Sequence, residues 1–261
     1  MPEITEPYLP GTPCWVDLMA DDQRAAIDFY GELFGWSGEL GPEEFKGYAV
    51  MEKDGRAVCG IGPKMSPEGA PEPPHVWTTY LATEDSDESL RRARSAGGTV
   101  LVESMDVGNR GRMAVLADSV GAIFGLWQAG EFAGAALVNE PGSLLWNSCE
   151  TRDPKTAGEF YEQVFGLESR RIPGSEGALA LVPSGTDRPV GSIDDLGEHA
   201  PHVPPFWMTT FACDDVEALV TAASRRGGEV LGPPEDTPYG RAAGLHDPWG
   251  GMFGVMQVAE G

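Results

Sequence analysis

One stretch of this chain occurs twice, and the duplication constrains the fold more than any other feature. Residues 11–36 read GTPCWVDLMADDQRAAIDFYGELFGW, and residues 142–167 read GSLLWNSCETRDPKTAGEFYEQVFGL. Gly11, Trp15, Asp22, Ala26, Phe29, Tyr30, Phe34 and Gly35 recur, at one constant offset, as Gly142, Trp146, Asp153, Ala157, Phe160, Tyr161, Phe165 and Gly166. A repeat of this length fixes the architecture before single elements are assigned. Cys14–Met19 has strand character. Asp21 or Asp22 then offers a carboxylate to the free N–H groups of a helix start. Ala26, Phe29, Tyr30, Leu33 and Phe34 follow at steps that place them on one helical face. Gly35 suits the left-handed residue that ends a helix. The second copy starts its helix with Asp153-Pro154, a cap followed by a residue with preset φ.

The rest of each half repeats as well. Tyr48–Glu52 and Ala57–Gly62 read as strands around the turn Asp54-Gly55. Lys64–Pro74 reads as a Pro-rich loop. Val76–Ala82 reads as a strand, Asp85–Ala96 as a helix stopped by Gly97-Gly98, and Thr99–Val102 as the start of another strand. Gly111–Ala117 and Ala122–Trp127 form a hairpin. Phe206–Cys213, Val216–Arg225, Gly227-Gly228 and DPWGGMFGVMQ (247–257) match their first-half counterparts. The expectation is an α+β chain of four βαβββ units forming two tandem domains, each with a curved mixed sheet around a cleft. Residues 1–10 are read as a tail, 11–128 as domain 1, 129–141 as a linker and 142–258 as domain 2.

Composition narrows the function classes. The net charge of −23 repels nucleic acid and anionic membrane surfaces. A hydrophobic content of 41% suffices for packed cores, and no apolar run reaches bilayer length. The acidic, Pro-bearing start is unlike a secretion signal. Cys14, Cys59, Cys149 and Cys213 form no CxxC pair, which fits reduced core thiols in a cytoplasmic protein. No GxSxG elbow, phosphate loop or dinucleotide fingerprint is present.

The pattern D-x6-FY-x3-FG (Asp22 to Gly35, Asp153 to Gly166), the GG after each second helix and D-x2-G-x2-FG near each domain end resemble the vicinal oxygen chelate superfamily. That superfamily includes glyoxalase I, bleomycin-resistance proteins, fosfomycin-resistance transferases and extradiol dioxygenases. The tandem form, with GLWQ and VMQ endings, is similar to an actinobacterial group of two-domain glyoxalase-like proteins. The resemblance implies four metal-ligand positions per domain, held by His and Glu in metal-using members. Carried over residue by residue, they fall on Trp15, Gly60, Thr78 and Gly125, and on Trp146, Gly191, Met208 and Gly254. Indole, thioether, a lone hydroxyl and bare backbone make no divalent-metal cage. The expectation is therefore no cofactor and no metal.

Strand alternation supplies the remaining cleft residues. Asp17, Tyr80 and Trp127 join Trp15, Gly60, Thr78 and Gly125 in domain 1. Ser148, Thr210, Met252 and Met256 join Trp146, Met208 and Gly254 in domain 2. This apolar, Met- and Trp-rich lining suits a flat hydrophobic ligand, and the glycines leave it room at the backbone. Core filling is the plain alternative for the same side chains. Trp77 and Trp207 have the opposite parity and read as core. Asp17 and Tyr80 are the candidate catalytic pair, and domain 1 is favoured for chemistry. Arg112, with its counterpart Arg241, is a candidate ligand-anion partner or, equally, a structural ion pair or exposed hairpin end. His199 and His202, with Asp194, Asp195 and Glu198 nearby, are a weaker metal candidate in a loop; His75 and His246 read as structural.

The leading reading is a metal-independent binder of a hydrophobic or aromatic metabolite or antibiotic. It is expected to be a monomer with an internal pseudo-dimer, or a homodimer, with no nucleic-acid or membrane partner. The alternatives are a metal-free lyase, isomerase or accessory hydroxylase, and a ligand-free scaffold.

Overall fold

The computed structural model describes residues 7–64, 73–175, 177–197 and 202–258. The tail residues 1–6, most of the Pro-rich connector (65–72), and Glu198 and His199 lie outside the described residues. The duplicated helix forms as its caps dictate. Helix α1 (Gln23–Phe34) starts at Asp22, whose side chain accepts from Ala25 N, and ends at Gly35 with φ +70°. Helix α3 (Pro154–Phe165) starts at Asp153 with Pro in its first turn and ends at Gly166 with φ +73°. Each terminus thus satisfies backbone groups that the helix cannot pair internally.

Among the described residues, seven strands form the first sheet: β1 (Pro13–Ala20), β2 (Ala49–Lys53), β3 (Arg56–Pro63), β4 (Trp77–Thr83), β5 (Thr99–Asp106), β6 (Gly111–Ala117) and β7 (Ile123–Ala129). Their spatial order is β2-β3-β1-β4-β7-β6-β5. The second sheet holds β8 (Leu144–Thr151), β9 (Leu167–Arg171), β10 (Leu179–Pro183), β11 (Gly191–Asp195), β12 (Phe206–Ala212), β13 (Glu229–Val230), β14 (Glu235–Thr237), β15 (Gly240–His246) and β16 (Met252–Val258). Its order is β13-β15-β16-β12-β8-β11-β10-β9, with β14 also on β15. In each sheet an antiparallel central pair is flanked by parallel partners: β3 on β1 and β7 on β4, then β11 on β8 and β16 on β12. Both sheets are mixed and neither closes into a barrel.

The first unit departs from the βαβββ expectation. The strand between α1 and β2 is reduced to one bridge, Ser37 to Glu52. Gly38, Gly41 and Pro42 follow immediately, and Pro has no N–H for a ladder. The chain turns instead through a short 3-10 segment, Glu43–Phe45.

The helices lie between the two sheets. One core cluster joins Phe29, Tyr30 and Phe34 of α1 to Phe211, Leu245 and Phe253 of the second sheet, with Leu219 of α4 (Val216–Arg225). Its counterpart joins Leu90 of α2 (Ser86–Ser95), Leu116 and Phe124 to Phe160, Tyr161 and Leu181. Each helix therefore buries apolar surface against both halves of the chain. At the centre, Asn147 Nδ2 donates to Thr79 Oγ1 (2.8 Å) and Thr209 Oγ1 (3.1 Å).

The repeated motif residues staple this seam twice. Trp77 Nε1 donates to the Tyr30 hydroxyl (3.0 Å), which donates to Asp247 Oδ2 (2.8 Å). Trp207 Nε1 donates to the Tyr161 hydroxyl (2.9 Å), which donates to Asp118 Oδ2 (2.7 Å). Trp77 and Trp207 thus take the helix side, as their parity predicts. The four cysteines are buried free thiols.

Candidate functional site

The face of each sheet opposite the helices is the cleft face. On the first sheet it carries Trp15, Asp17, Gly60, Thr78, Tyr80, Gly125 and Trp127, in registers that set Trp15 beside Tyr80, Asp17 beside Gly60 and Thr78, and Tyr80 beside Gly125. Asp17 and Tyr80 are thus brought together as expected. A residue from outside the strands joins them. Tyr48 ends the loop before β2, and its hydroxyl accepts from Trp15 Nε1 (2.8 Å) and donates to Asp17 Oδ2 (3.1 Å).

Rings fill this cleft. A Cβ added to Gly60 would land on the Tyr48 hydroxyl, and one added to Gly125 would land on the Tyr80 ring. The two glycines therefore give room to the protein's own tyrosines, which corrects the reading of them as space for a ligand. The linker closes the cleft further. Phe132 sits edge-on to Trp15 with ring centroids 4.9 Å apart, and its carbonyl accepts from Trp127 Nε1 (2.9 Å). Ala135 N donates to Cys14 O and Ala136 N to Ala57 O, each at 2.8 Å, while the Tyr8 hydroxyl donates to Ala135 O (2.6 Å). Trp15, Tyr80 and Trp127 are buried, and Asp17 is only 3% exposed. Gly60→Ala is expected to cost about 1–3 kcal/mol through overpacking. The matching signal is a changed tryptophan emission spectrum as Tyr48 is pushed off Trp15; an unchanged melting curve and spectrum contradict the packing described.

Asp17 is the electrostatic centre of the first cleft. Burial pushes its carboxyl up to about 7, and the hydroxyls of Tyr48 and Tyr80 pull it partly back. Among the described residues its Oδ1 has no hydrogen-bond partner. The same burial, with the Asp17 charge alongside, holds both tyrosine hydroxyls well above their ordinary range.

The second cleft keeps the frame and loses the filling. Trp146 stands beside Thr210, and Ser148 beside Met208 and Ser192. Trp146, Met208, Thr210, Met252 and Met256 are all half-buried, whereas three of their first-cleft counterparts, Trp15, Tyr80 and Trp127, are packed shut. Trp146 Nε1 donates to Ser192 Oγ (3.0 Å), Ser192 Oγ to Asp194 Oδ2 (2.9 Å) and Ser148 Oγ to Glu150 Oε1 (2.6 Å). Glu150 and Asp194 are register partners on β8 and β11. Burial raises both carboxyls, and Glu150 is raised further by the Asp194 charge.

A family model described as the Glyoxalase/Bleomycin resistance protein/Dioxygenase superfamily matches residues 14–126 and 148–255. The chain belongs to that superfamily. It is 41% identical to the putative glyoxylase CFP32 of Mycobacterium tuberculosis (strain CDC 1551 / Oshkosh), over 99% of each chain. It is 37% identical to the anthracycline biosynthesis protein DnrV of Streptomyces peucetius, covering 97% of this chain and 96% of that one. Among solved structures it resembles the Mn(II)-bound glyoxalase from Novosphingobium aromaticivorans, with a TM-score of 0.65 at 16% identity over 97% of this chain and 83% of that one. A catechol 2,3-dioxygenase gives 0.62 at 12% identity, over 97% and 90%. At such identities the likeness to solved structures speaks for the fold alone.

The superfamily's metal does not fit the side chains at its positions here. The first cleft offers Trp15, Gly60, Thr78 and Gly125, and the space between them is held by two tyrosine rings. The second offers Trp146, Met208, Gly254 and, on β11, Ser192. Gly191 is not the fourth position there. Asp17 pairs with Gly60, but Ser148 pairs with Ser192, so the second copy has gained one residue before β11. A one-residue slip turns a side chain to the other face. A Cβ on Gly191 would indeed meet Asn147 O, away from the cleft. Among the described residues, no group of three or more His, Cys, Asp or Glu could hold a metal ion.

Arg112 is the one predicted binding residue that the structure removes from the clefts. It neighbours Met113, which pairs with Trp127, so it takes the opposite face. There it pairs with Asp87 (2.8 Å) and Asp106 (3.1 Å). Arg241 likewise pairs with Glu217 and Asp236. His202 is exposed, His75 Nε2 lies 2.7 Å from Asp247 Oδ2, and His246 faces Glu229 at 3.6 Å. Sequence reasoning missed Tyr48, Glu150 and Ser192. Glu150 carried a readable signal, since it continues the alternation of Trp146 and Ser148. Tyr48 and Ser192 carried none without the register.

Proposed function

We propose that this chain binds a hydrophobic, aromatic small molecule in the cleft of its second domain, without a metal. One observation carries the reading. The two clefts share a frame, yet one is packed with its own rings while the other leaves an indole and three thioethers half-buried. Trp offers a flat face for stacking and Met a lining that adapts in shape. Ser148, Glu150, Ser192 and Asp194 add polar groups along one side, the arrangement usual in small-molecule sites. The relative named for anthracycline biosynthesis supports a flat fused-ring ligand. The site favoured by the sequence reading, domain 1, is the less suitable one. Asp17 is enclosed by its own tyrosines, which leaves the lyase, isomerase or hydroxylase reading without a seat for substrate. The scaffold reading accounts for the first cleft only.

Titration with alizarin, a planar dihydroxyanthraquinone, tests the proposal through quenching of tryptophan emission. Saturable binding of one molecule per chain is expected, unchanged by EDTA. Trp146→Ala is expected to weaken it about tenfold, equivalent to ~1.4 kcal/mol. Absence of saturable binding, or binding that appears only with added divalent metal, overturns the proposal.

A further inference from the structure

We infer that Tyr48 marks, inside the first cleft, the place taken in the second cleft by the ligand's ring, and that Ser192 requires the deepest edge of that ring to carry no hydroxyl. The inference rests on the reading of the second cleft as the binding site and adds the orientation and chemical class of its ligand.

The strand registers make the two clefts comparable residue by residue. Val50 pairs with Gly60, which pairs with Asp17. Ala180 pairs with Ser192, which pairs with Ser148. Gly60 therefore corresponds to Ser192, and two residues before Val50 and Ala180, Tyr48 corresponds to Ala178. Both clefts hold a hydroxyl between an indole N–H and a carboxylate. In the first it belongs to Tyr48, between Trp15 Nε1 (2.8 Å) and Asp17 (3.1 Å). In the second it belongs to Ser192, between Trp146 Nε1 (3.0 Å) and Asp194 (2.9 Å).

The hydroxyl arrives by different routes, and only one route brings a ring. Tyr48 reaches in from its loop and lays its phenol over Gly60. Ser192 delivers the hydroxyl from the strand itself, and Ala178 carries only a methyl group. The volume of one phenyl ring is thus left without a side chain from that position. Thr210 stands where Tyr80 lays its ring over Gly125, so a second ring of the first cleft has no side-chain equivalent here. The ligand class is a fused-ring arene.

Ser192 also sets the polarity of the deep edge. A Cβ at Gly60 would land on the Tyr48 hydroxyl, so a serine there and a phenolic hydroxyl exclude each other. The indole N–H of Trp146 is already satisfied. A ligand hydroxyl placed where the Tyr48 hydroxyl sits would run into the Ser192 side chain and find the indole N–H engaged, and a poorly paired buried hydroxyl is costly. The ring therefore presents C–H to Ser192 and turns any polar substituents toward the cleft mouth.

Calorimetric titration with naphthalene and with 2-naphthol tests this. Wild type is expected to bind naphthalene. Ser192→Gly is expected to tighten 2-naphthol about tenfold relative to naphthalene, because the ligand hydroxyl then replaces that of Ser192. Ala178→Tyr/Ser192→Gly rebuilds the first cleft's plug and is expected to abolish binding of both while circular dichroism stays native. If that double variant does not fold, the ratio in Ser192→Gly decides alone, and a change below threefold overturns the inference. Undiminished naphthalene binding by a folded double variant overturns it too. Wild type that binds alizarin but not naphthalene defeats this inference and leaves the binding site standing. Failure to bind any of the three defeats both.

Discussion

Asp247→Ala is expected to destabilise the chain by about 3–5 kcal/mol, the usual loss when one member of a buried charged network is removed. Asp247 is 2% exposed and accepts from the Tyr30 hydroxyl (2.8 Å), Trp249 N (3.0 Å) and Gly251 N (2.8 Å), with His75 Nε2 at 2.7 Å. Alanine leaves these groups facing one another in a dry seam, each short of a partner. Asp118→Ala removes the same staple from the other side of the seam, where Tyr161, Val120 N and Ala122 N are the donors. It lacks the histidine and is expected to cost less. Urea unfolding reads both as a lower midpoint at unchanged slope. A loss below 1 kcal/mol for Asp247→Ala would show that the staple is ornamental. Because each core cluster joins residues of both sheets, loosening the seam is expected to unfold the chain in one transition.

The same residues show what a single sequence makes legible. Tyr30 and Asp247 stand out as motif letters in their own repeats, and their helix and turn were readable because caps, turns and face periodicity act over a few residues. Their bond spans 217 positions, and nothing local announces it. Trp77 and Trp207 were placed correctly because alternation needs only neighbours. Arg112 fails that same test once Met113 is known to share the face of Trp127. Gly60 and Gly125 were recognised as positions of close approach. A glycine reports that something comes near the backbone without saying what, and here it is Tyr48 and Tyr80. Ser192 was displaced by one residue because the loops before β3 and β11 differ in length, and a constant offset ends where an insertion begins. The fold was legible because it rests on periodic local signals. The contents of the clefts were not, because they depend on register and on one loop residue.

Asp17→Asn is expected to leave stability near pH 4 almost unchanged and to raise it by about 4 kcal/mol above pH 8. The sign follows from the two states. An unfolded Asp titrates near its ordinary value, while burial holds the folded carboxyl at about 7. The folded chain therefore keeps a proton that the unfolded chain has already released. Its contribution to stability is fully present below the unfolded value, declines as pH rises between the two, and is gone above the folded one. Three units at ~1.4 kcal/mol each give the expected total. Asn holds the same shape without charge, so the difference between variant and wild type isolates Asp17 from Asp118, Glu150 and Asp194, whose carboxyls are also raised. Tyr48→Phe provides the complementary arm. It removes the hydroxyl that stabilises the ionised form, so the decline in its stability should extend to higher pH than in wild type. Urea midpoints measured from pH 4 to pH 9 give all three curves. A variant-minus-wild-type difference that stays flat across that range means Asp17 titrates normally, and the enclosed carboxyl–phenol–indole chain does not exist as described.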